Sequence, residues 1–168
     1  SILSKKLASG LDALVMDVKT GNGAFCASYE MAQDVAKSIA TVATNAGVPT
    51  RCLITDMNQV LGTTVGNSVE ILECIEFLTS PATTDKRLLK ITLDLAAHML
   101  HISGISPTLE SGFNKAKRAL ENGSAAEVFE KMVSTLGGPK DLISSPHKHF
   151  ASTPLIKPIV AEKSGVIS

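Results

Sequence analysis

The sequence lacks a net charge and a long apolar run. Acidic and basic side chains balance at 16 each, so no overall field favours nucleic acid or an anionic membrane, and any anion binding must be local. A membrane helix needs about 20 consecutive apolar residues, and the chain has no such run and no signal-peptide pattern at its start. We therefore expect a soluble protein that binds neither membrane nor nucleic acid.

A disulfide framework is also missing. Cys26, Cys52 and Cys74 lie in apolar surroundings without a CxxC spacing, which favours reduced core thiols in a cytoplasmic protein. The length of 168 residues suits one main packing unit with a hydrophobic core. We expect a single α/β domain.

The most distinctive stretch joins a strand to a glycine loop. The apolar run over residues 14–18 suits a strand buried on both faces. It ends at Gly21-Asn22-Gly23, and a helical pattern begins near Ser28. The third glycine of GxGxxG and the Gly-Lys-Ser/Thr of a P-loop are both absent, so neither nucleotide fingerprint is met. A tight turn alone would explain these glycines; strand, loop and helix would place a site at the carboxyl end of the strand.

The remaining pattern predicts a second strand over residues 52–55, completing a right-handed βαβ unit, then several helices and a terminal hairpin. The helix starts are predicted at Asn67 or Ser68, at Asp85, at Ser106-Pro107 and at the capping box Ser124 to Glu127. The hairpin strands are predicted at residues 159–161 and 166–168.

A few polar residues are candidates for chemistry. Ser1 and Lys5 are four apart on one predicted helix, where a solvated face is the usual interpretation and a clamp on a planar polar ligand is the functional one. Glu70, Glu73 and Glu76 also suggest a solvated face, although the position of Glu73 between Leu72 and Cys74 leaves partial burial open as the alternative. The pairs His98 with His101 and His147 with His149 lack the accompanying ligands that would favour a metal site.

Two blocks are more specific than any spacing. Residues 1–25 read SILSKKLASGLDALVMDVKTGNGAF, and residues 53–62 and 65–70 read LITDMNQVLG and VGNSVE. These blocks closely resemble the pyrimidine-nucleoside phosphorylase family, and the resemblance extends over nearly the whole chain, including Ser124 to Glu127.

The resemblance implies a homodimeric enzyme that splits a pyrimidine nucleoside with phosphate as co-substrate. Thymidine, yielding thymine and 2-deoxyribose 1-phosphate, is the favoured substrate; a broader pyrimidine specificity or a non-catalytic module is the alternative. By resemblance, residues 1–8 end a small helical domain, 9–11 form a hinge, and 12–168 belong to a large mixed α/β domain that is incomplete at both ends.

The resemblance also assigns roles to residues. Ser1 and Lys5 are expected to hydrogen-bond the pyrimidine ring, with Lys5 catalytic. The backbone carbonyls of Leu61 and Thr64 and the carboxylate of Glu73 are expected to hold a monovalent cation, potassium being the candidate; the chemistry itself requires no cofactor. In relatives the phosphate-binding loop and a pyrimidine-contacting arginine lie upstream of Ser1, so residues 1–168 alone are expected to be inactive.

Overall fold

A computed structural model of the protein describes residues 2–165. Six helices and two strands follow one another as α1 (Ile2–Ala8), β1 (Leu14–Thr20), α2 (Tyr29–Asn45), β2 (Thr50–Asp56), α3 (Asn67–Thr79), α4 (Lys86–Ile102), α5 (Leu109–Glu121) and α6 (Ser124–Thr135). Single 3-10 turns lie at Pro81–Thr83 and Pro146–Lys148. The mixed α/β fold predicted from the sequence is confirmed.

The two strands form a parallel sheet joined through α2. Leu14 pairs with Thr50 and Thr20 with Asp56, so both strands end at the same edge. Helix α2 begins where predicted, because the Ser28 hydroxyl accepts a hydrogen bond from the Met31 amide at 3.2 Å. The βαβ unit thus brings two loops together at one edge of the sheet.

Each half of the molecule has its own apolar core. Between the sheet and α2, the buried residues are Val18, Cys26, Ala32 and Ala36. Among α3, α4 and α5, the buried residues are Phe77, Leu93 and Leu120. Helix α4 joins the halves, since it contacts both strands and α5. The first core explains why β1 is apolar on the face that meets α2.

Helix α1 ends as predicted. Gly10 adopts a positive φ of 64°, and its amide donates to the Leu7 carbonyl at 3.2 Å, the usual geometry just beyond a helix C-terminus. None of the α1 residues is buried. The helix contacts α2, and its side chains are exposed or half-buried.

Three predicted helix caps are wrong, and the predicted cap at Asp85 is confirmed. Helix α5 is capped by Thr108, whose hydroxyl accepts from the Ser111 amide at 3.1 Å, while Ser106 is buried two residues earlier. Gly66 and Gly123 occupy the caps of α3 and α6. A glycine there satisfies the backbone geometry without a side-chain acceptor, so the neighbouring polar residues that predicted these caps lie inside the helices.

The structure does not show the predicted terminal hairpin. Residues 159–161 are exposed and outside any strand, and residues 166–168 lie outside the described part of the chain. A two-stranded hairpin is marginal unless its apolar face packs on a helix or sheet, and Ile159 is 94% exposed. Between residues 2 and 165, no helix combines the length and hydropathy needed to cross a membrane.

Candidate functional site

Two loops meet at the carboxyl ends of the parallel strands, and we call them the strand-end loops: residues 21–25 after β1 and residues 57–66 after β2. The Met57 amide donates to the Thr20 carbonyl at 2.6 Å, and the Gly23 amide donates to the Met57 carbonyl at 3.1 Å. The Asn22 amide donates to Asn58 Oδ1 at 3.0 Å. The two loops therefore form one bonded unit at the edge where open α/β sheets bind ligands.

The close approach of the loops explains both glycines of the GNG motif. Gly21 has a φ of 123°, and a Cβ there would lie 2.7 Å from Asn58 Oδ1. A Cβ on Gly23 would lie 2.8 Å from the Met57 carbonyl oxygen. The interpretation of this motif as a structural turn is confirmed, because a side chain at either glycine would collide with the second loop.

The carboxylate of Glu73 holds the middle of the second loop from α3. Its Oε1 accepts from the Thr63 amide at 2.7 Å and from the Thr63 hydroxyl at 2.9 Å. Its Oε2 accepts from the Thr64 amide at 3.1 Å and from the Thr64 hydroxyl. The hydrogen bond from the Thr64 hydroxyl, followed by that from the Thr63 amide, lowers the pKa of Glu73 below its ordinary value. Glu73 is half-buried, and the donors of the loop stabilise its charged form.

The candidate cation ligands lie together. Leu61, Thr64 and Glu73 line one pocket, and among the described residues the backbone carbonyls of Leu61 and Thr64 accept no hydrogen bond. Carbonyl and carboxylate oxygens are the donor types that suit hard cations. Because four donors already occupy the Glu73 oxygens, a cation could approach them only if the Thr63 and Thr64 hydroxyls turned. The oxygen types therefore suit a monovalent cation, and the potassium site at these residues stays a prediction.

The pocket between the second strand-end loop, α3 and α4 has a volume of about 670 Å³. Its wall is largely apolar, with ionisable groups among the lining residues. The lining includes Lys19, Asp56, Leu61, Thr64, Val65, Glu70, Glu73, Cys74, Phe77, Leu88 and Phe129. A concave apolar site with a few polar groups is the usual form of a small-molecule site.

A polar triad that the sequence did not suggest lies beside this pocket. Lys19 Nζ lies 2.6 Å from Asp17 Oδ2 and donates to the Thr55 hydroxyl at 2.8 Å, and that hydroxyl donates to Asp17. The parallel register places Lys19 opposite Thr55. Only this pairing brings the three residues together, because Asp17 and Thr55 are 38 positions apart in the chain.

Of the two residues expected to contact the pyrimidine, the structure describes only Lys5. Lys5 is exposed on α1, and Ser1 lies outside the described residues. Helix α1 leads into the amino end of β1, whereas the pocket lies at the carboxyl ends of the strands. Lys5 does not line that pocket. Within residues 2–165, the structure therefore does not bring Lys5 to the strand-end loops.

The three cysteines differ in how far they are buried. All three cysteines are free. Cys26 is buried and Cys52 is half-buried, as expected of core thiols, whereas Cys74 is exposed and the prediction of a core thiol there is wrong. Partial desolvation, followed by the charges of Glu73 and Glu70, raises the pKa of the Cys74 thiol. Its position on α3 beside the pocket, rather than in the core, follows from the tertiary packing alone.

The histidines lie in two separate places. Burial, followed by the Arg51 charge, lowers the pKa of His98, and His149 pairs with Asp141 at 2.7 Å. Across residues 2–165, no three His, Cys, Asp or Glu side chains form a group that could hold a metal ion.

Comparison with known proteins gives two results. The family model described as "Glycosyl transferase family, a/b domain" matches residues 1–126. A protein named thymidine phosphorylase, from Agrobacterium fabrum (strain C58 / ATCC 33970), is 50% identical over 165 residues, which cover 98% of this chain and 37% of that protein. The chain thus spans 37% of the length of this curated relative. The strand-end loops, Glu73 and the triad of Asp17, Lys19 and Thr55 lie within the residues that the family model matches.

Proposed function

The chain belongs to the glycosyl transferase family with an a/b domain, and from this premise we propose that the protein containing it is a thymidine phosphorylase. The reaction is the phosphorolysis of thymidine to thymine and 2-deoxyribose 1-phosphate. The observation that carries the proposal is the 50% identity to a protein of that name over 98% of this chain.

The proposed chemistry accounts for an ammonium group at the base. A phosphate oxygen forms a bond to C1′ of the sugar while the C1′–N1 bond breaks. The electron pair of the broken C1′–N1 bond passes to the pyrimidine. The departing base therefore gains negative charge. A lysine ammonium at a ring oxygen stabilises that charge more in the transition state than in the ground state. In the proposal Lys5 is this group, and Ser1 is a second hydrogen-bonding contact to the ring.

The proposed domain organisation gives α1 a reason for its exposure. If residues 1–8 end a helical domain and 9–11 form a hinge, Lys5 meets the substrate across a cleft that closes on it. The lack of buried residues in α1 and the helix stop at Gly10 support this arrangement.

The homodimer implied by the resemblance is also part of the proposal, and sedimentation of the complete protein measures it. A reducing, cytoplasmic location is proposed as well, and the three free cysteines support it.

The candidate potassium site is proposed at the carbonyls of Leu61 and Thr64 and the Glu73 carboxylate. A bound ion would neutralise the carboxylate and hold the second strand-end loop against α3. A ligand that binds only the folded protein raises its unfolding midpoint. We expect potassium chloride to raise the midpoint above that in choline chloride at equal ionic strength, and Glu73→Gln to abolish the difference. An equal midpoint in the two salts would remove the ion from the proposal.

The function is tested by thymine release from thymidine by the complete protein with and without phosphate. Phosphate-dependent release with thymidine preferred over uridine is the expected result. Equal rates on uridine would replace it with a broader pyrimidine-nucleoside phosphorylase, and no turnover on either would favour a non-catalytic module.

Residues 1–168 alone form the second arm of this test. They contain neither fingerprint loop for phosphate, and we expect them to release no thymine. Release comparable to that of the complete protein would contradict this part of the proposal.

A further inference from the structure

Arg87, in the first turn of α4, reaches back to the loop after β2. Its guanidinium donates to the backbone carbonyl of Asp56 and, at 3.4 Å, to that of Val60. It also lies 3.5 Å from the Asp56 carboxylate. The Arg87 side chain therefore contacts both the last residue of β2, Asp56, and the fourth residue of the second strand-end loop, Val60. A planar guanidinium presents five donors in a fixed fork and can reach acceptors spread along the loop, whereas a lysine ammonium is a compact group with three donors.

The contact continues from Asp56 into the glycine loop. Asp56 Oδ1 accepts from the Asn58 amide at 3.1 Å and from the Asn58 side-chain amide. Asn58 Oδ1 in turn accepts from the Asn22 amide at 3.0 Å. A continuous set of hydrogen bonds thus runs from α4 through Asp56 and Asn58 to the loop after β1.

Arg87 has an unfavourable position for the helix that carries it. The N-terminus of a helix has a partial positive charge and disfavours cations, yet the first turn of α4 contains Lys86 and Arg87 and no acidic residue. Helix stability therefore does not explain the arginine, whereas its contacts with the loop do. Lys86 is exposed and carries the same charge in the same turn, so it separates the dipole effect from the loop contacts.

We propose that Arg87 is a positioning residue that sets both strand-end loops through Asp56 and Asn58. This inference deepens the proposed function, on which its kinetic readout rests. A misplacement of about 1 Å in an active site can cost about 10²-fold in rate even when the changed residue lies far from the reacting groups. A positioning role therefore predicts a loss in kcat that exceeds any loss of folded protein.

The experiment uses the complete protein with Arg87→Met, Arg87→Lys and the matched control Lys86→Met. We expect Arg87→Met to lower kcat by about 10- to 100-fold while KM for thymidine changes by less than about threefold. Arg87→Lys should retain an intermediate rate, and Lys86→Met should match the parent. Hydrogen exchange followed by mass spectrometry should show faster exchange in residues 21–25 and 57–66 for Arg87→Met only.

The outcomes separate this inference from the proposed function. If the parent protein releases no thymine, the proposed function fails, and faster exchange at both loops still supports the positioning role. Exchange that changes only within α4, or an unchanged kcat in a folded Arg87→Met protein, overturns the inference. If Arg87→Met does not fold, Asn58→Ala decides: it leaves the contact of Arg87 with Asp56 intact and should raise exchange at residues 21–25, and unchanged exchange there overturns the inference.

Discussion

The strand-end loops and helix α1 both carry residues that the sequence singled out, and they are held in opposite ways. The loops are joined by backbone hydrogen bonds and further held by Glu73 and Arg87, whereas α1 has no buried residue. The loops are thus preorganised by their own chain. Lys5, in contrast, depends on something beyond the described fold to meet a substrate. Chemistry that needs both regions would need a movement or a partner surface to bring them together.

The largest expected effect tests whether exposed α1 is catalytic. Lys5→Ala in the complete protein should lower kcat by about 10²- to 10³-fold, because a charge-stabilising donor is lost. The unfolding midpoint should be unchanged, since Lys5 is exposed. The matched control is Lys6→Ala, one residue away and also exposed. Equal activity in the two variants would remove Lys5 from the proposed mechanism.

The next effect compares two glycines with positive φ, one from each region. Gly21 and Gly10 have φ values of 123° and 64°, so alanine strains the backbone at both by about 1–2 kcal/mol. At Gly21 the added Cβ also meets Asn58, whereas at Gly10 nothing lies within 4 Å. Overpacking adds about 1–3 kcal/mol, so Gly21→Ala should be the more destabilising in denaturant unfolding. Equal losses of unfolding free energy in the two variants would mean that the strand-end loops move apart to accommodate the added Cβ at little energetic cost.

A smaller effect concerns the pH dependence of the second loop. The pKa of Glu73 is lowered in the folded protein from 4.5, chiefly by the hydrogen bond from the Thr64 hydroxyl. Its contribution to stability is therefore present above pH 4.5 and is lost as the pH falls through the lower folded pKa. Glu73→Gln should flatten the acid side of the curve of unfolding midpoint against pH. Glu76→Gln, an exposed change on the same helix, should leave the curve in place; a parallel curve for both variants would contradict the assignment.

The smallest expected effects come from single polar truncations in the two regions. Asn58→Ala removes the acceptor of the Asn22 amide and should cost about 0.5–1.5 kcal/mol of unfolding free energy. Ser9→Ala removes an exposed hydrogen bond to the Lys5 carbonyl and should cost less than about 0.5 kcal/mol. Urea unfolding of both variants measures the difference. A larger loss for Ser9→Ala would show that α1 is held more firmly than its contacts suggest.

Predictions from the sequence succeeded where the signal is local. Ser28 and Asp85 cap α2 and α4 as predicted, and Gly10 ends α1. The predicted cap of α3 at Asn67 or Ser68 is wrong because Gly66 is the N-cap. The Gly66 amide donates to the Glu70 carboxylate one turn later at 2.9 Å. The predicted strand at residues 159–161 failed because a short apolar run forms a strand only when it has a surface to pack against.

The candidate site divides along the same line. That glycines follow β1 and that a loop follows β2 came from residue order and apolar spacing, which left the burial of Glu73 open. Three features came only from the tertiary structure: the contact of Met57 and Asn58 with the glycine loop, the triad of Lys19 with Asp17 and Thr55, and the reach of Arg87 across 31 residues. Apolar periodicity and capping act over a few residues and are readable in order, whereas hydrogen bonds between loops depend on the parallel register that the packed helices impose.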